Sequence, residues 1–275
     1  MSDRPREPAI CLYVIDFSET SQVAHLLGRD SGVVHLLAKG SKRPKSASGG
    51  RLDLLEEGEL VFIPTRAEGL GTLVEFSPST HHMAVRRRRD ALDAALYMLE
   101  VTRMLLAEAD PHPAAFDLLS AALTRLEKPD APTQAVLAFF QWRLLRQVGL
   151  LGEMDACVSC GRPAESRVVF SSRQGGFLCG QCRGAAEESR AVAAPALAGV
   201  AALRAMDRRR PATLAEDQAA AVNELLAYHL SYQLGKSPRM LRHVRPRRRA
   251  APARPAGQPP GAQKKPPAGP AVTGG

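Results

Sequence analysis

The chain has no stretch approaching the roughly 18 to 20 continuous apolar residues that cross a bilayer. Its start, Met1 to Pro8, is polar and carries no apolar signal core, so a cytosolic protein is expected. Cysteine is scarce. Five cysteines in 275 residues are too few and too clustered for a secreted disulfide scaffold. No G-x-x-x-x-G-K-[ST], G-x-S-x-G or H-E-x-x-H is present, and no recurrent pairing of Asp and Glu suggests acid–base catalysis. The missing phosphate loop argues against an ATPase. His81-His82 and the other histidines have no ligand-like spacing with carboxylates. A non-enzymatic protein is therefore expected, with a nucleic-acid enzyme of unrecognised catalytic residues as the enzymatic alternative.

What is there is a hydrophobic content of 45%, ample for a packed core, over a length that suggests two or three modules. The formal charge is +9. Seven of those charges, Arg245, Arg247, Arg248, Arg249, Arg254, Lys264 and Lys265, lie in an acid-free terminal segment, which leaves the body near +2. That segment, 245–275, is rich in Pro, Gly and Ala and is read as a disordered basic tail. Binding to a polyanion must therefore be argued from local clusters in the body.

From Ala9 to about Ser77, short apolar runs alternate with turn residues, which reads as β structure. Strands are predicted at Ile10 to Phe17, Gly32 to Lys39, Glu59 to Pro64 and Gly71 to Phe76, with Ser21 to Leu27 a further strand or a short helix. Four or five short strands in about 80 residues fit a small barrel of the oligonucleotide-binding (OB) type. After Pro78 the period changes. Helical stripes follow Asp90 (Leu92, Leu96, Leu99, Leu106) and run over Ala114 to Leu126, Thr133 to Val148 and Leu214 to Leu234, each with one apolar face that needs partners. The fold class is α+β: an OB-fold domain at 1–80, a helical domain at 81–152 and 187–244, a four-cysteine insert at 153–186, and the tail.

Cys157-x2-Cys160, eighteen residues, then Cys179-x2-Cys182 has the spacing of a zinc ribbon or knuckle. A hairpin is predicted between the pairs, with Arg167 to Phe170 as one strand, the Gly-Gly at 175–176 in the turn and Phe177-Leu178 returning. Gly161 follows the first pair, where φ > 0 lets amide N–H groups aim at sulfur. Arg162, Arg167 and Arg183 are placed to offset thiolate charge. Four protein ligands close the coordination sphere, so one structural Zn(2+) per chain is expected, supplying folding energy to an insert too small to fold alone. A rubredoxin-like iron site and a redox C-x-x-C pair are the alternatives; neither pair opens a helix after a strand as a thioredoxin-type motif would. The fifth cysteine, Cys11, sits among Leu12, Val14 and Ile15 as a buried strand residue.

Two basic clusters remain. Lys39, Lys42, Arg43, Lys45 and Arg51 fall among Ser and Gly with no hydrophobic anchor, an exposed loop beside the predicted barrel of the kind that tracks a nucleic-acid backbone. Arg86, Arg87, Arg88 and Arg89 precede the first bundle helix, and four consecutive arginines cannot all pack; some must face solvent or a polyanion. Each cluster also reads as an ordinary solvated loop or linker.

The order of these features resembles the bacterial recombination and DNA-repair mediator family RecO. The segment HLLGRDSGVVHLLAKGSKRPKS (25–46) is similar to that family's strand, turn, strand and basic loop, and GLGTLVEF (69–76) to a later barrel strand. FFQWRLLRQVGLLGEMDACVSCG (139–161) is similar to its last bundle helix running into the first cysteine pair, GGFLCGQC (175–182) to the second pair, and LLAYHLSYQLGKSPRMLRHV (225–244) to its closing helix. The resemblance implies binding of single- and double-stranded DNA, annealing of complementary strands, and cooperation with RecR to load RecA onto DNA coated by single-stranded-DNA-binding protein. It makes Lys39, Lys42, Arg43 and Lys45 DNA-contact candidates, joined by Arg51, Arg86 and Arg87 from the charge pattern. It also sets Arg143 near where the family receives the coating protein's acidic C-terminal tail. With aromatic residues at 5%, base stacking on the barrel is expected to be sparse. The competing reading is a zinc-ribbon transcription regulator or scaffold with nonspecific DNA affinity.

Overall fold

The short apolar runs of the N-terminal region form five strands: β1 (Glu7–Asp16), β2 (Gln22–Gly28), β3 (Gly32–Ala38), β4 (Glu57–Ile63) and β5 (Gly71–Thr80). In the computed structural model, which describes residues 6–44, 46, 49–65, 69–164, 168–207 and 213–244, these close into a barrel of order β1-β2-β3-β5-β4. The segment left open between strand and helix is β2. Its inward residues Ala24 and Leu26 pack with Val34, Leu36 and Ala38 of β3, Leu60 of β4, and Leu73 and Phe76 of β5, forming the barrel's own core. Only the closure of β3 on β5 is parallel, at Leu36↔Gly71 and Leu37↔Thr72.

The helical region comprises α1 (Met83–Arg87), α2 (Arg89–Leu105), α3 (Pro113–Leu126), α4 (Thr133–Gln147), α5 (Ala194–Asp207), α6 (Glu216–Gln233) and α7 (Leu241–Val244). Its apolar stripes meet around Tyr97, Phe140 and Trp142, all fully buried. A buried polar chain crosses three helices: Tyr97 on α2 donates to Gln141 on α4 (2.9 Å), whose amide donates to Asn223 on α6 (2.8 Å). Asn223 in turn donates to the Gln134 carbonyl at 2.9 Å. Each amide has a partner, so the chain fixes helix register where an unpaired group would cost about 1–3 kcal/mol. Glu100 on α2 accepts the backbone N–H groups of Arg239 and Met240, both at 2.8 Å, and so holds the entry to α7.

The outward half of the barrel that carries Ile10, Leu12, Leu27, Val33 and Leu55 belongs to the same apolar cluster as the helices. Polar contacts lock this face. Arg29 in the β2–β3 turn forks onto Asp117 of α3 (2.9 and 3.1 Å), Ser120 of α3 donates to Glu57 of β4 (2.7 Å), and Ala109 N–H donates to Val33 of β3 (2.9 Å). Gly32 is required here: at φ 74° a Cβ would stand 2.1 Å from the Asp110 carbonyl oxygen. His82, buried and itself at φ 47°, lies between Glu57 (3.6 Å) and Glu127 (3.5 Å) where strand passes to helix.

Between α4 and α5 the chain makes a three-stranded sheet of β6 (Val169–Ser171), β7 (Gly176–Leu178) and β8 (Arg190–Ala191), in order β7-β6-β8. Among its described residues this insert has no core of its own. Val168, Phe170 and Phe177 join the helical cluster, and the Phe170 ring meets His229 of α6 edge-on at 5.2 Å. Among the described residues no helix is long and apolar enough to cross a membrane. The terminal segment 245–275 lies outside the described residues.

Candidate metal centre and nucleic-acid interface

The β6–β7 hairpin folds the second cysteine pair back onto the first. Val158 N–H donates to Phe177 (2.8 Å), and in the first knuckle Gly161 N–H donates to Cys157 (2.8 Å). In the second, the N–H groups of Cys182 and Arg183 donate to Cys179 at 3.1 and 3.0 Å. Gly161 has φ 73° with open space where a Cβ would be, so its backbone angle rather than crowding selects glycine. As a result the Sγ atoms of Cys157, Cys160, Cys179 and Cys182 all lie within 4.8 Å of one another. A tetrahedral ion with metal–sulfur bonds of about 2.3 Å needs sulfurs about 3.8 Å apart; Cys160 and Cys179 are 3.8 Å apart. The donor set therefore fits a closed four-thiolate zinc site.

Electrostatics at the cluster favour thiolate at some positions and not at others. Burial works against ionising Cys157, but the backbone N–H groups of Cys179, Cys160 and Ser159 bring its pKa down to about 6. Cys179 is lowered by the N–H groups of Cys182 and Gln181. Cys182 accepts from Ser159, which lowers it, yet its own hydrogen bonds to the sulfurs of Cys160 and Cys179 favour the protonated thiol and push its pKa up to about 11. A divalent cation removes that conflict by ionising all four. Arg162 pairs with Gln181 beside the cluster and Arg183 is exposed there; Arg167 lies outside the described residues.

The first basic cluster forms one end of the barrel. After β3 the chain turns over Lys39 to Arg43 and is bolted to the β1–β2 turn: Lys42 N–H donates to Thr20 (3.0 Å) and Gly40 N–H to the Ser21 hydroxyl (3.2 Å). Lys39 and Arg43 are exposed. Lys42 is partly covered, its ammonium 3.0 Å from Asp16 and donating to the Ser18 carbonyl (3.2 Å), and exposed Arg51 reaches the same Asp16 at 3.4 Å. The hydrogen bond from Lys42, with the charge of Arg51, holds the Asp16 carboxyl below its usual range. Lys45 lies outside the described residues.

Half of the second cluster, Arg86 and Arg88, is turned inward, while Arg87 and Arg89 are exposed. Arg86 on α1 pairs with Asp53 (2.9 Å) and donates to the carbonyls of His81 (3.0 Å) and Leu54. Arg88 donates to the carbonyls of Leu126 (3.4 Å) and Lys128 (2.7 Å), to Asp90 (3.1 Å) and to the Thr133 hydroxyl (3.1 Å). Arg89 pairs with Asp93 one helical turn on, at 2.6 Å. Arg87 is exposed; Arg143 is half-buried on α4.

Sequence reading did not single out the aromatic content of the barrel's outer surface. A bulge between Cys11 and Tyr13 sets Tyr13 and Ile15 outward, opposite His25 and Val23 of β2, which stand opposite His35 and Leu37 of β3. The signal was present as Tyr13, Ile15 and Phe17 at intervals of two within one predicted strand. Tyr13 meets His25 edge-on at 5.3 Å, and the His25 and His35 rings stack at 3.8 Å.

Comparison with known proteins agrees with this architecture. The family model described as "Recombination protein O N terminal" matches residues 1–80, and "Recombination protein O C terminal" matches 86–243. Among relatives named DNA repair protein RecO, that of Myxococcus xanthus is 29% identical over 238 residues, 84% of this chain and 95% of the relative. That of Anaeromyxobacter dehalogenans is 30% identical over 239 residues, 85% and 93% respectively. That of Rhodopirellula baltica is 34% identical over 178 residues, 64% of this chain and 66% of the relative. With both halves matched in order around the barrel, the bundle and the four cysteines, the chain belongs to the RecO family of DNA repair proteins.

Proposed function

We propose that this protein is a non-enzymatic recombination mediator that binds single- and double-stranded DNA, speeds annealing of complementary strands and works with RecR to load RecA onto DNA coated by single-stranded-DNA-binding protein. The observation that carries the reading is the barrel end, where Lys39 and Arg43 stand exposed on a turn fixed by backbone hydrogen bonds. Cations held in place there neutralise the phosphates of two strands and lower the repulsion that slows their pairing. Lys39, Arg43 and exposed Arg87 are the direct contacts, joined by Lys45. Lys42 and Arg51 set the turn through Asp16 and contribute charge, and Arg86 braces the barrel against α1.

The cysteine cluster holds one zinc ion whose part is structural, and Arg143 receives the acidic C-terminal tail of the coating protein. The barrel at 1–80 is the principal DNA-binding region, the helical parts at 81–152 and 187–244 take protein partners, and 153–186 staples them. The site of action is the cytoplasm, at the nucleoid. Annealing of complementary oligonucleotides covered with the coating protein tests the reading: acceleration at low salt that fades as salt rises is expected, and no acceleration at any salt would sink it.

A further inference from the structure

The outer face of β1, β2 and β3 divides into two halves. One carries Leu12, Leu27 and Val33 and is buried against the helices. The other carries two cross-strand rows: Tyr13, His25 and His35, then Ile15, Val23 and Leu37. No element of the described chain covers its outer end. Phe17, at the end of the same alternation, is 62% exposed, more than any other large apolar side chain among the described residues. It is not on a loose tip, because its N–H donates to Ser21 (3.0 Å) in the turn onto which Lys42 is docked. Phe17 follows the last residue of β1 and stands four residues from Tyr13, at most about 13 Å along extended chain.

Chemistry selects the occupant. A protein interface is built on a contiguous apolar core, yet the aliphatic row is already sunken at its centre, with Val23 only 7% exposed. What the face displays is ring surface and cations. Lys39 follows Leu37 at one end, and at the other the Arg103 guanidinium lies 4.8 Å over the Tyr13 ring. Of the acids nearby, Asp16 is engaged by Lys42 and Arg51 and Glu108 lies 3.2 Å from His35, while Glu19 in the β1–β2 turn is exposed. Burial, with the charges of His35 and Arg103, pushes the His25 pKa down to about 4, so at neutral pH its ring is uncharged and offers stacking rather than phosphate binding.

We infer that this face is a base-stacking platform for single-stranded nucleic acid, with Phe17 and Tyr13 each taking an unstacked base while Lys39, Arg43 and Arg103 follow the phosphates. The inference rests on the DNA-binding reading above and adds a mode to it: flat rings recognise bases only when these are not held inside a duplex. The low aromatic content of the chain is thus no measure of its stacking capacity, since the rings lie on one patch.

The test compares Phe17→Ala and Phe17→Trp in the full chain with the unmodified protein. Ligands are oligo-dT, a duplex of equal length and an abasic strand with the same number of phosphates, read by fluorescence anisotropy. Phe17→Ala should weaken oligo-dT binding about 5- to 150-fold, the range set by one base–ring stack. Duplex and abasic affinities should stay within about twofold. Phe17→Trp should restore oligo-dT binding, with its emission quenched by oligo-dT and not by the abasic strand. Equal losses for oligo-dT and duplex, or unchanged oligo-dT binding by Phe17→Ala, would overturn the platform while leaving DNA binding intact. Unchanged oligo-dT binding with weakened capture of purified RecR would assign the face to a protein instead. If the unmodified protein binds none of the three ligands at low salt, the DNA-binding reading itself falls.

Discussion

Lys39 and Arg43 stand in solvent at the end of the barrel, whereas Arg86 and Arg88 direct their guanidinium N–H groups at carbonyl oxygens of the protein itself. The two sets carry the same kind of charge and differ in what the fold offers them. Next to α1 the chain leaves backbone acceptors of His81, Leu54, Leu126 and Lys128 within reach, and a guanidinium with five N–H donors can serve several at once. At the barrel end the turn satisfies its own backbone through Thr20 and Ser21, so the cations there stay hydrated and accessible. Charge displayed on a fixed turn is free to meet a partner; charge surrounded by carbonyls builds.

Five perturbations would break or sharpen that contrast. The largest effect should come from the third cationic neighbourhood, Arg162 and Arg183 beside the thiolates. Chelation, or Cys157→Ser, should remove the ion and cost more than about 4 kcal/mol, because Phe170 and Phe177 belong to the bundle's core. Trp142, the single tryptophan and fully buried on α4, reports the loss in urea unfolding followed by its fluorescence. One zinc per chain by mass spectrometry should accompany the intact fold.

Next in size, Arg86→Ala should lower stability by about 2–3 kcal/mol, since it leaves the Leu54 and His81 carbonyls and Asp53 without their charged donor. The slope of log affinity for DNA against log salt should not change. A flattened slope with unchanged stability would place Arg86 with the displayed cations instead. The pair Lys39→Ala with Arg43→Ala should behave oppositely: stability within about 0.5 kcal/mol, and a salt slope for single strands smaller by about 1.4, two phosphates' worth of released counterion. Lys42→Ala should show both effects, because its ammonium also secures Asp16 and Ser18.

The smallest effect concerns the ring row beside Lys39. His25 has its pKa lowered from the ordinary 6.5 to about 4, so the unfolded chain binds the proton more readily. Its contribution is fully present above pH 6.5 and is lost as pH falls toward 4. After allowance for solvent screening of a half-exposed ring this amounts to about 1–2 kcal/mol. Urea midpoints at pH 7 and pH 4.5 should fall further apart for the unmodified protein than for His25→Phe. Equal differences would remove His25 as the source.

Much of this was readable in the sequence because the physics is local. The short apolar runs in Gly32 to Lys39 and Gly71 to Phe76, and the 3.6-residue stripes after Asp90 and Thr133, report burial directly. Two C-x2-C pairs with a Gly-Gly turn between them define a hairpin that brings four sulfurs together. The short α1 was not legible: five residues start after a left-handed His82 with no side-chain cap to announce them. Nor was the inward turn of Arg86, whose acceptors at Leu54 and Asp53 lie about thirty residues away in the chain. The ring platform escaped because aromatic content was weighed over the whole chain, while pairing of β1, β2 and β3 gathers Tyr13, His25 and His35 in one row.

Glu100 ties α2 to the entry of α7 through two N–H groups 139 and 140 residues further on. Contacts that distant form late, since the chain between must first lose its freedom. A nascent chain that has made the barrel and α2 through α6 still carries a carboxylate facing a groove lined by Leu96, Leu99 and Met104, whose other wall, Lys236 to Met240, has yet to arrive. The order of synthesis therefore makes the last few residues of the bundle its lock: until they arrive the groove has one wall and Glu100 lacks both of its N–H partners.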